Sequence, residues 1–165
     1  MQITTEWILR ILGIGIGATL VMDIWAQLLK HVFGIASLNW AMVGRWVGHF
    51  PQGRFSHPSI AAASPVPGEK VLGWITHYTS GILLATILVN LAGLNWARQP
   101  SPAPAIAFGI VSVALPFLLM QPGMGAGIAA SKTPQPAQAR LRSLMTHTVF
   151  GIGLYLAAWL TAQIR

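Results

Sequence analysis

The chain has 165 residues, of which 54% are hydrophobic and only 8% are Asp, Glu, Lys or Arg. A soluble domain carries about 25% charged residues, so this composition predicts a membrane protein. The formal net charge is +7, but the basic residues lie between apolar segments and form no continuous face, which argues against nucleic acid binding. The absence of cysteine excludes disulfides, thiolate metal sites, iron–sulfur clusters and c-type haem attachment.

Four apolar segments are long enough to cross a hydrocarbon layer, which takes about 20 residues of helix. Because a helix satisfies its own backbone in lipid, we predict an all-α integral membrane protein with one four-helix transmembrane domain over residues 1–165. The predicted spans are residues 7–29, 71–94, 104–121 and 143–164. The first is predicted to be a retained helix and not a cleaved signal, since Glu6 stands in place of a basic cluster and Asp23 interrupts the apolar run.

The connection 30–70 is the longest one between predicted spans. Its stretch SLNWAMVGRWVGHF places apolar side chains on one helical face and Arg45 and His49 on another. With two tryptophans, this pattern predicts a short amphipathic helix in the membrane interface. In the third span, Pro116 is expected to kink the helix and free a backbone carbonyl.

The distribution of basic residues predicts the orientation of the chain. The first and third connections contain seven of them: Lys30, Arg45, Arg54, Lys70, Lys132, Arg140 and Arg142. The opposite side has Arg98, Arg165 and the helix-embedded Arg10. By the positive-inside rule, the long basic loops are predicted to be cytoplasmic and both termini to face outward.

Two predicted spans contain the same short pattern, Thr-His followed by Gly, Ile and Leu at equal spacing. It begins at Thr76-His77 in the second span and at Thr146-His147 in the fourth. Both helices enter the membrane from the same side, so the pattern suggests two helical hairpins related by a pseudo-twofold axis along the membrane normal. A chance match of common apolar residues is the alternative.

Polar groups of the four spans fall at a similar predicted depth. Asp23, His77, Gln121 and His147 share a layer about 10 Å thick. Asp23 and the two histidines also lie on stripes of small residues, which mark faces where membrane helices approach closely. An acid within the membrane costs roughly 2.5–3.5 kcal/mol on insertion scales, so we expect Asp23 to have a His or Gln partner inside the bundle.

These groups form the candidate site. Two imidazoles and one carboxylate suit iron, zinc or copper, so Asp23, His77 and His147 are predicted transition-metal ligands. His77 and His147 are equally candidates for the axial ligands of haem b. Gln121 and Glu69 are expected to be supporting polar groups, and Glu69 also serves the positive end of the second helix. The alternatives are interhelical hydrogen bonds without a ligand, or a proton relay.

Small residues predict where the helices pack. Gly13 and Gly17 form a GxxxG pair on the first span, and Gly73, Gly81 and Gly151 lie on the predicted contact faces of the second and fourth. The lipid bilayer is the expected partner. A homodimer or a place in a larger membrane complex is an open expectation for so small a protein.

Five stretches of the sequence carry a resemblance: GATLVMDIW, GRWVGHFPQGRFSH, PVPGEKVLGWITHYTSG, MQPGMGAGIAASKTP and SLMTHTVFGIGLY. Together they resemble an uncharacterised family of bacterial inner-membrane proteins, known only as a domain of unknown function. The resemblance covers nearly the whole chain. It implies a small four-span protein of a bacterial inner membrane with Asp23, His77 and His147 inside family motifs, and it implies no reaction.

The functional hypothesis at this level is a membrane protein whose His/Asp site binds a metal ion or haem for metal handling or electron transfer. A small proton-coupled transporter using the same groups is one alternative. A non-catalytic subunit or assembly factor of a larger complex is another. An enzyme is not favoured, because the sequence contains no nucleophile elbow or phosphate-binding loop.

Overall fold

The computed structural model describes residues 2–163, and within them the regular structure is entirely helical. Ile164, the predicted end of the fourth span, and Arg165 lie outside the described residues. The helices in this part of the chain are α1 (Gln2–Phe33), α2 (Trp40–Gly48), α3 (Glu69–Ala92), α4 (Leu94–Arg98), α5 (Pro102–Ser112), α6 (Gln121–Gly123) and α7 (Pro136–Gln163). Shorter turns lie at Phe50–Gln52, Ile60–Ala62, Pro116–Met120 and Ile128–Ala130.

Four helical segments of the described residues are long and apolar enough to cross a membrane: Thr5–Phe33, Glu69–Ala92, Pro102–Gly123 and Pro136–Gln163. The all-α, four-span prediction is therefore confirmed. The short helix predicted in the first long connection is α2, which begins after Asn39, whose side chain accepts a hydrogen bond from the Ala41 N–H at 3.0 Å.

Glycines end two of the spans. Gly34 follows α1 with φ 65°, and its N–H donates to the Lys30 carbonyl at 3.1 Å. Gly93 follows α3 with φ 86°, and its N–H donates to the Val89 carbonyl at 2.9 Å. Glycine adopts this left-handed conformation at no steric cost, so each helix closes its last turn and the chain turns away.

The third span is irregular where the sequence contains Pro116. Regular helix stops at Ser112, and the segment Pro116–Met120 is a π-helical turn that leads into α6. Proline has no N–H to donate and its ring crowds the preceding turn, which accounts for the break in the ladder.

The described residues form two compact units. The first contains residues 2–37, 78–112 and 145–163, and the second contains residues 38–77 and 113–144. In the first unit the core is built from buried aliphatic and small side chains, among them Ile14, Ala18 and Leu154, each 0% exposed. Many large apolar side chains of its spans, such as Leu9 and Leu91, are exposed instead, as expected for surfaces that face lipid.

In the second unit, α2 packs directly on the first turn of α3. A Cβ added at Gly44 would collide with the Glu69 carbonyl, and one at Gly73 with the Trp40 carbonyl. Arg45 and His49, which the sequence separates from the apolar face of α2, are both buried, at 8% and 2% exposure. The polar side of this helix is therefore occupied by protein.

Two loops of the second unit are joined by backbone hydrogen bonds. The His57 N–H donates to the Gly123 carbonyl at 2.9 Å, and the Ile60 N–H donates to the Met124 carbonyl at 3.0 Å. The segment that follows the third span is thereby held against the first long connection.

Candidate functional site

Asp23, the acid within the first span, has a partner on α3. The Tyr78 hydroxyl donates to Asp23 Oδ2 at 3.0 Å. Both side chains belong to the first unit and are half-buried. Tyr78 is not among the partners expected from the sequence, because the i, i+4 stripe of small residues includes His77 and leaves out its neighbour. The expected His or Gln partner of Asp23 stays a prediction.

His147 on α7 is also held by a hydroxyl within the first unit. Its Nδ1 lies 2.7 Å from Ser112 Oγ, and the Ser112 hydroxyl donates to the Gly109 carbonyl at 2.6 Å. Serine has one hydroxyl proton, so with that proton directed to Gly109 the contact requires His147 Nδ1 to be the donor. This tautomer leaves a lone pair on His147 Nε2.

His77 is surrounded by aromatic rings of the second unit. Trp40, the first residue of α2, stacks on it with ring centroids 3.8 Å apart, and Trp74 meets it edge-on at 5.8 Å. The histidine is 6% exposed. The two Thr-His patterns therefore place their histidines in different surroundings, one among indoles and the other on a serine hydroxyl. The predicted internal duplication stays a prediction.

The two predicted supporting groups lie in the second unit. Gln121 Nε2 donates to Ser143 Oγ at 3.4 Å, and its buried Oε1 has no hydrogen-bond partner. The Glu69 carboxylate accepts two hydrogen bonds from Arg45, both 2.8 Å, and one from the Val66 N–H at 3.1 Å. The hydrogen bonds from Arg45 to Glu69 raise the pKa of the Arg45 guanidinium. Glu69 thus anchors α2 in addition to its place in the first turn of α3.

Each glycine predicted to mark helix packing is a point of close approach. A Cβ at Gly13 would meet Thr161 Cγ2 at 2.8 Å, one at Gly17 would meet Ala157 Cβ at 2.7 Å, and one at Gly151 would meet Ile106 Cα at 2.8 Å. A Cβ at Gly81 would collide with the Thr19 hydroxyl, and Gly73 contacts α2 as described above.

The predicted metal ligands are divided between the two units: Asp23 and His147 lie in the first, and His77 lies in the second. Within the first unit, Asp23 and His147 bind different hydroxyl groups. Across residues 2–163, no group of three or more His, Asp or Glu side chains is placed to hold a metal ion. The geometry gives the predicted three-residue metal site no support.

A family model described as "Protein of unknown function (DUF2938)" matches residues 12–161. The chain belongs to this family, which confirms the resemblance of its motifs to a domain of unknown function. No significant match is found among curated proteins or among solved structures.

Proposed function

We propose that this member of the DUF2938 family is a small proton-coupled transporter in which Asp23 carries the proton. The observation that supports the proposal is the 3.0 Å hydrogen bond from the Tyr78 hydroxyl to the Asp23 carboxylate, made between two membrane spans. Ionisable residues inside spans are rare, and they commonly mark ion pathways and proton relays.

Tyr78 suits this role because its hydroxyl serves both protonation states of the acid. A phenol donates to the carboxylate, and after rotation of its O–H bond it accepts a hydrogen bond from the carboxylic acid. Asp23 can therefore gain and lose a proton without losing its partner.

His147 supplies a second exchangeable group in the same unit. Its Nδ1 is directed to Ser112, so Nε2, which carries the free lone pair, is the atom that would take up a proton. The proposed relay thus contains a carboxylate on α1 and an imidazole on α7, each oriented by a hydroxyl. Proton uptake by either group changes the charge of its span, and a transporter can use that change to bias its conformation.

The test is proton flux into liposomes that contain the purified protein, an internal pH-sensitive dye and an imposed membrane potential. Asp23→Asn keeps the shape of the side chain and removes the exchangeable proton, so flux is expected to fall to that of protein-free liposomes. Tyr78→Phe should give a proton flux between those of wild type and Asp23→Asn, because it keeps the acid and removes the hydroxyl that contacts it.

Thr86→Val is the matched control. Thr86 is a polar residue of the same helix as Tyr78, and its hydroxyl donates only to the Ile82 carbonyl one turn away, at 2.8 Å. Flux that is equal in Asp23→Asn and wild type would contradict the proposal, as would wild-type flux no greater than that of empty liposomes.

Haem or metal binding is a second candidate, and it is favoured by the orientation of His147. Histidine ligands usually bind the metal through one nitrogen while the other nitrogen donates to a fixed acceptor. The Ser112 contact gives His147 this arrangement.

The test is a visible spectrum with elemental analysis of wild type beside the His77→Ala/His147→Ala double variant. Colour or near-stoichiometric metal present only in wild type would support this candidate, and a colourless, metal-free wild type would exclude it.

The proposed setting is a bacterial inner membrane, with the basic loops in the cytoplasm and both termini in the periplasm. Its support is the charge bias between loops. In this orientation Asp23 lies nearer the cytoplasmic end of its span, so the proposed relay would exchange protons with the cytoplasm first.

A further inference from the structure

Two adjoining depressions of the second unit differ in chemistry. One, the polar cavity, has a volume of about 600 Å³, and its wall combines proline, glycine and isoleucine with four polar side chains, Ser56, His57, Ser131 and Lys132. The other is an apolar groove of about 390 Å³, lined chiefly by Trp46, Phe50, Phe55, Leu118 and Leu119. Ser56 and Pro122 line both, so the two form one continuous surface.

The polar cavity suits an anion. Lys132 supplies an ammonium group, two serines supply hydroxyls, and none of the lining residues is acidic. Arg140 lies close to the same loop, because its Nε donates to the Ala129 carbonyl at 2.8 Å. Cationic side chains together with neutral donors are the usual means by which proteins recognise phosphate.

His57 provides an independent observation. It is 9% exposed, its Nε2 lies 2.8 Å from His49 Nδ1, and its own Nδ1 is buried without a hydrogen-bond partner. A buried polar atom of this kind is uncommon in native proteins. In the tautomer with its proton on Nδ1, His57 accepts a hydrogen bond from His49 at Nε2, and its Nδ1–H remains as a donor for an anion.

Backbone contacts join two segments of the cavity wall. A Cβ at Gly125, which has φ 94°, would collide with the Pro58 carbonyl, so the backbone at Gly125 touches the segment after His57. The hydrogen bonds of His57 and Ile60 to Gly123 and Met124 fasten the same two segments. These backbone contacts join two of the segments that supply lining residues.

The apolar groove lies on a membrane span. Leu118 and Leu119 belong to the third span, and each is 59% exposed. The groove therefore begins in the hydrocarbon region, and the cavity beside it follows the end of that span at Gly123. An occupant that contacts both surfaces has an apolar chain and a negatively charged head.

We propose that this surface binds an anionic phospholipid, with its phosphate in the cavity at Lys132 and His57 and an acyl chain along the groove at Leu118 and Leu119. Lipid with a net negative charge is favoured over zwitterionic lipid because the wall contains the Lys132 ammonium group and no acid. This site is separate from the Asp23–Tyr78 pair and does not depend on the proposed transport.

The experiment uses the full chain in nanodiscs that contain phospholipids with brominated acyl chains, which quench nearby tryptophans. The fluorescence of Trp46, which lines the groove, is obtained by subtracting the tryptophan fluorescence of Trp46→Phe from that of wild type. We expect brominated phosphatidylglycerol to quench this signal at a concentration about fivefold lower than brominated phosphatidylcholine, since one basic residue near the surface contributes about that factor.

Lys132→Ala and His57→Gln should each remove most of this preference. Lys70→Ala should retain it, because Lys70 is an exposed lysine of the same unit that does not line the cavity. Circular dichroism shows whether each variant is folded. If either Lys132→Ala or His57→Gln does not fold, the other still tests the proposal. Equal quenching by the two lipids in wild type would overturn the proposal, as would equal effects of Lys132→Ala and Lys70→Ala.

A further arm distinguishes lipid from free phosphate. Leu118→Ser should weaken the response to phosphatidylglycerol while leaving the cavity unchanged. Soluble glycerol 3-phosphate should compete only weakly, because it lacks the acyl chain. If glycerol 3-phosphate binds as tightly as the lipid and Leu118→Ser has no effect, the ligand is a soluble phosphate ester and the lipid assignment is wrong.

Discussion

Arg45 and Glu69 form a two-pronged ion pair between α2 and the first turn of α3. Nε and Nη2 of the arginine each donate to one carboxylate oxygen at 2.8 Å. Nη1 of Arg45 also lies near carbonyls of the segment 60–63, the shortest contact being to Ala63 at 3.1 Å. One buried side chain therefore joins three parts of the second unit.

Arg45→Ala is expected to lower the thermal stability of the protein strongly, because it removes two of the three hydrogen bonds that the Glu69 carboxylate accepts. Arg45→Lys should have an intermediate effect, since lysine keeps the charge and loses the planar fork. The measurement is thermal unfolding in detergent, followed by circular dichroism. Arg54→Ala, at an exposed arginine of the same connection, should leave the midpoint essentially unchanged. Equal midpoints for Arg45→Ala and Arg54→Ala would show that the ion pair does not stabilise the fold.

Gly44→Ala and Gly73→Ala are expected to destabilise the protein by about 1–3 kcal/mol or more, the range for overpacking a close contact. At both positions the added Cβ would meet backbone atoms of the facing helix, which cannot rotate away. Gly13→Ala is the comparison, because its Cβ would meet only the end of the Thr161 side chain. Chemical unfolding in detergent should therefore rank Gly13→Ala as the mildest change. A cost for Gly13→Ala as large as that for Gly44→Ala would contradict the predicted packing of α2 on α3.

Infrared difference spectra between high and low pH should show the C=O band of a protonated carboxylic acid that disappears in Asp23→Asn. In Tyr78→Phe the same band should shift, because the protonated acid loses the hydroxyl oxygen that accepts its O–H. Thr86→Val should leave the band in place. If Tyr78→Phe and wild type give the same band position, the hydroxyl does not contact the acid in its protonated state.

Single-cysteine variants test the predicted orientation without background, since the natural sequence contains no cysteine. Gln52→Cys lies in the first long connection and Gln99→Cys between the second and third spans, and both side chains are exposed. In intact bacterial cells, an impermeant thiol reagent should label Gln99→Cys and should label Gln52→Cys only after lysis. The reverse pattern would invert the proposed topology and place the basic loops outside.

Some residues of the candidate site could be predicted from the sequence and others could not. Asp23 was identified from its chemistry alone, because an acid in an apolar helix needs a partner. That the Tyr78 hydroxyl contacts this acid was not predictable, since a hydroxyl on the neighbouring helix is as suitable as an imidazole. Tyr78 was found only once the two helices were placed side by side.

The histidines show the same limit. Equal local patterns at His77 and His147 suggested equal roles, yet Trp40 covers the first and Ser112 holds the second. Neither neighbour lies in the Thr-His pattern itself. Trp40 reaches His77 because glycines let α2 approach α3 closely, and that approach depends on both helices at once.

By itself, the sequence determined that this is an all-helical protein with four spans, a short helix in its first long connection and an irregular turn at Pro116. Those features follow from the length of each apolar segment, the requirement that backbone groups be satisfied in lipid, and the missing N–H of proline. The tertiary structure decided which polar groups meet: Tyr78 with Asp23, Arg45 with Glu69, and His57 with His49. Side-chain partners on different helices depend on the rotation and depth of each helix, and packing sets those quantities in three dimensions.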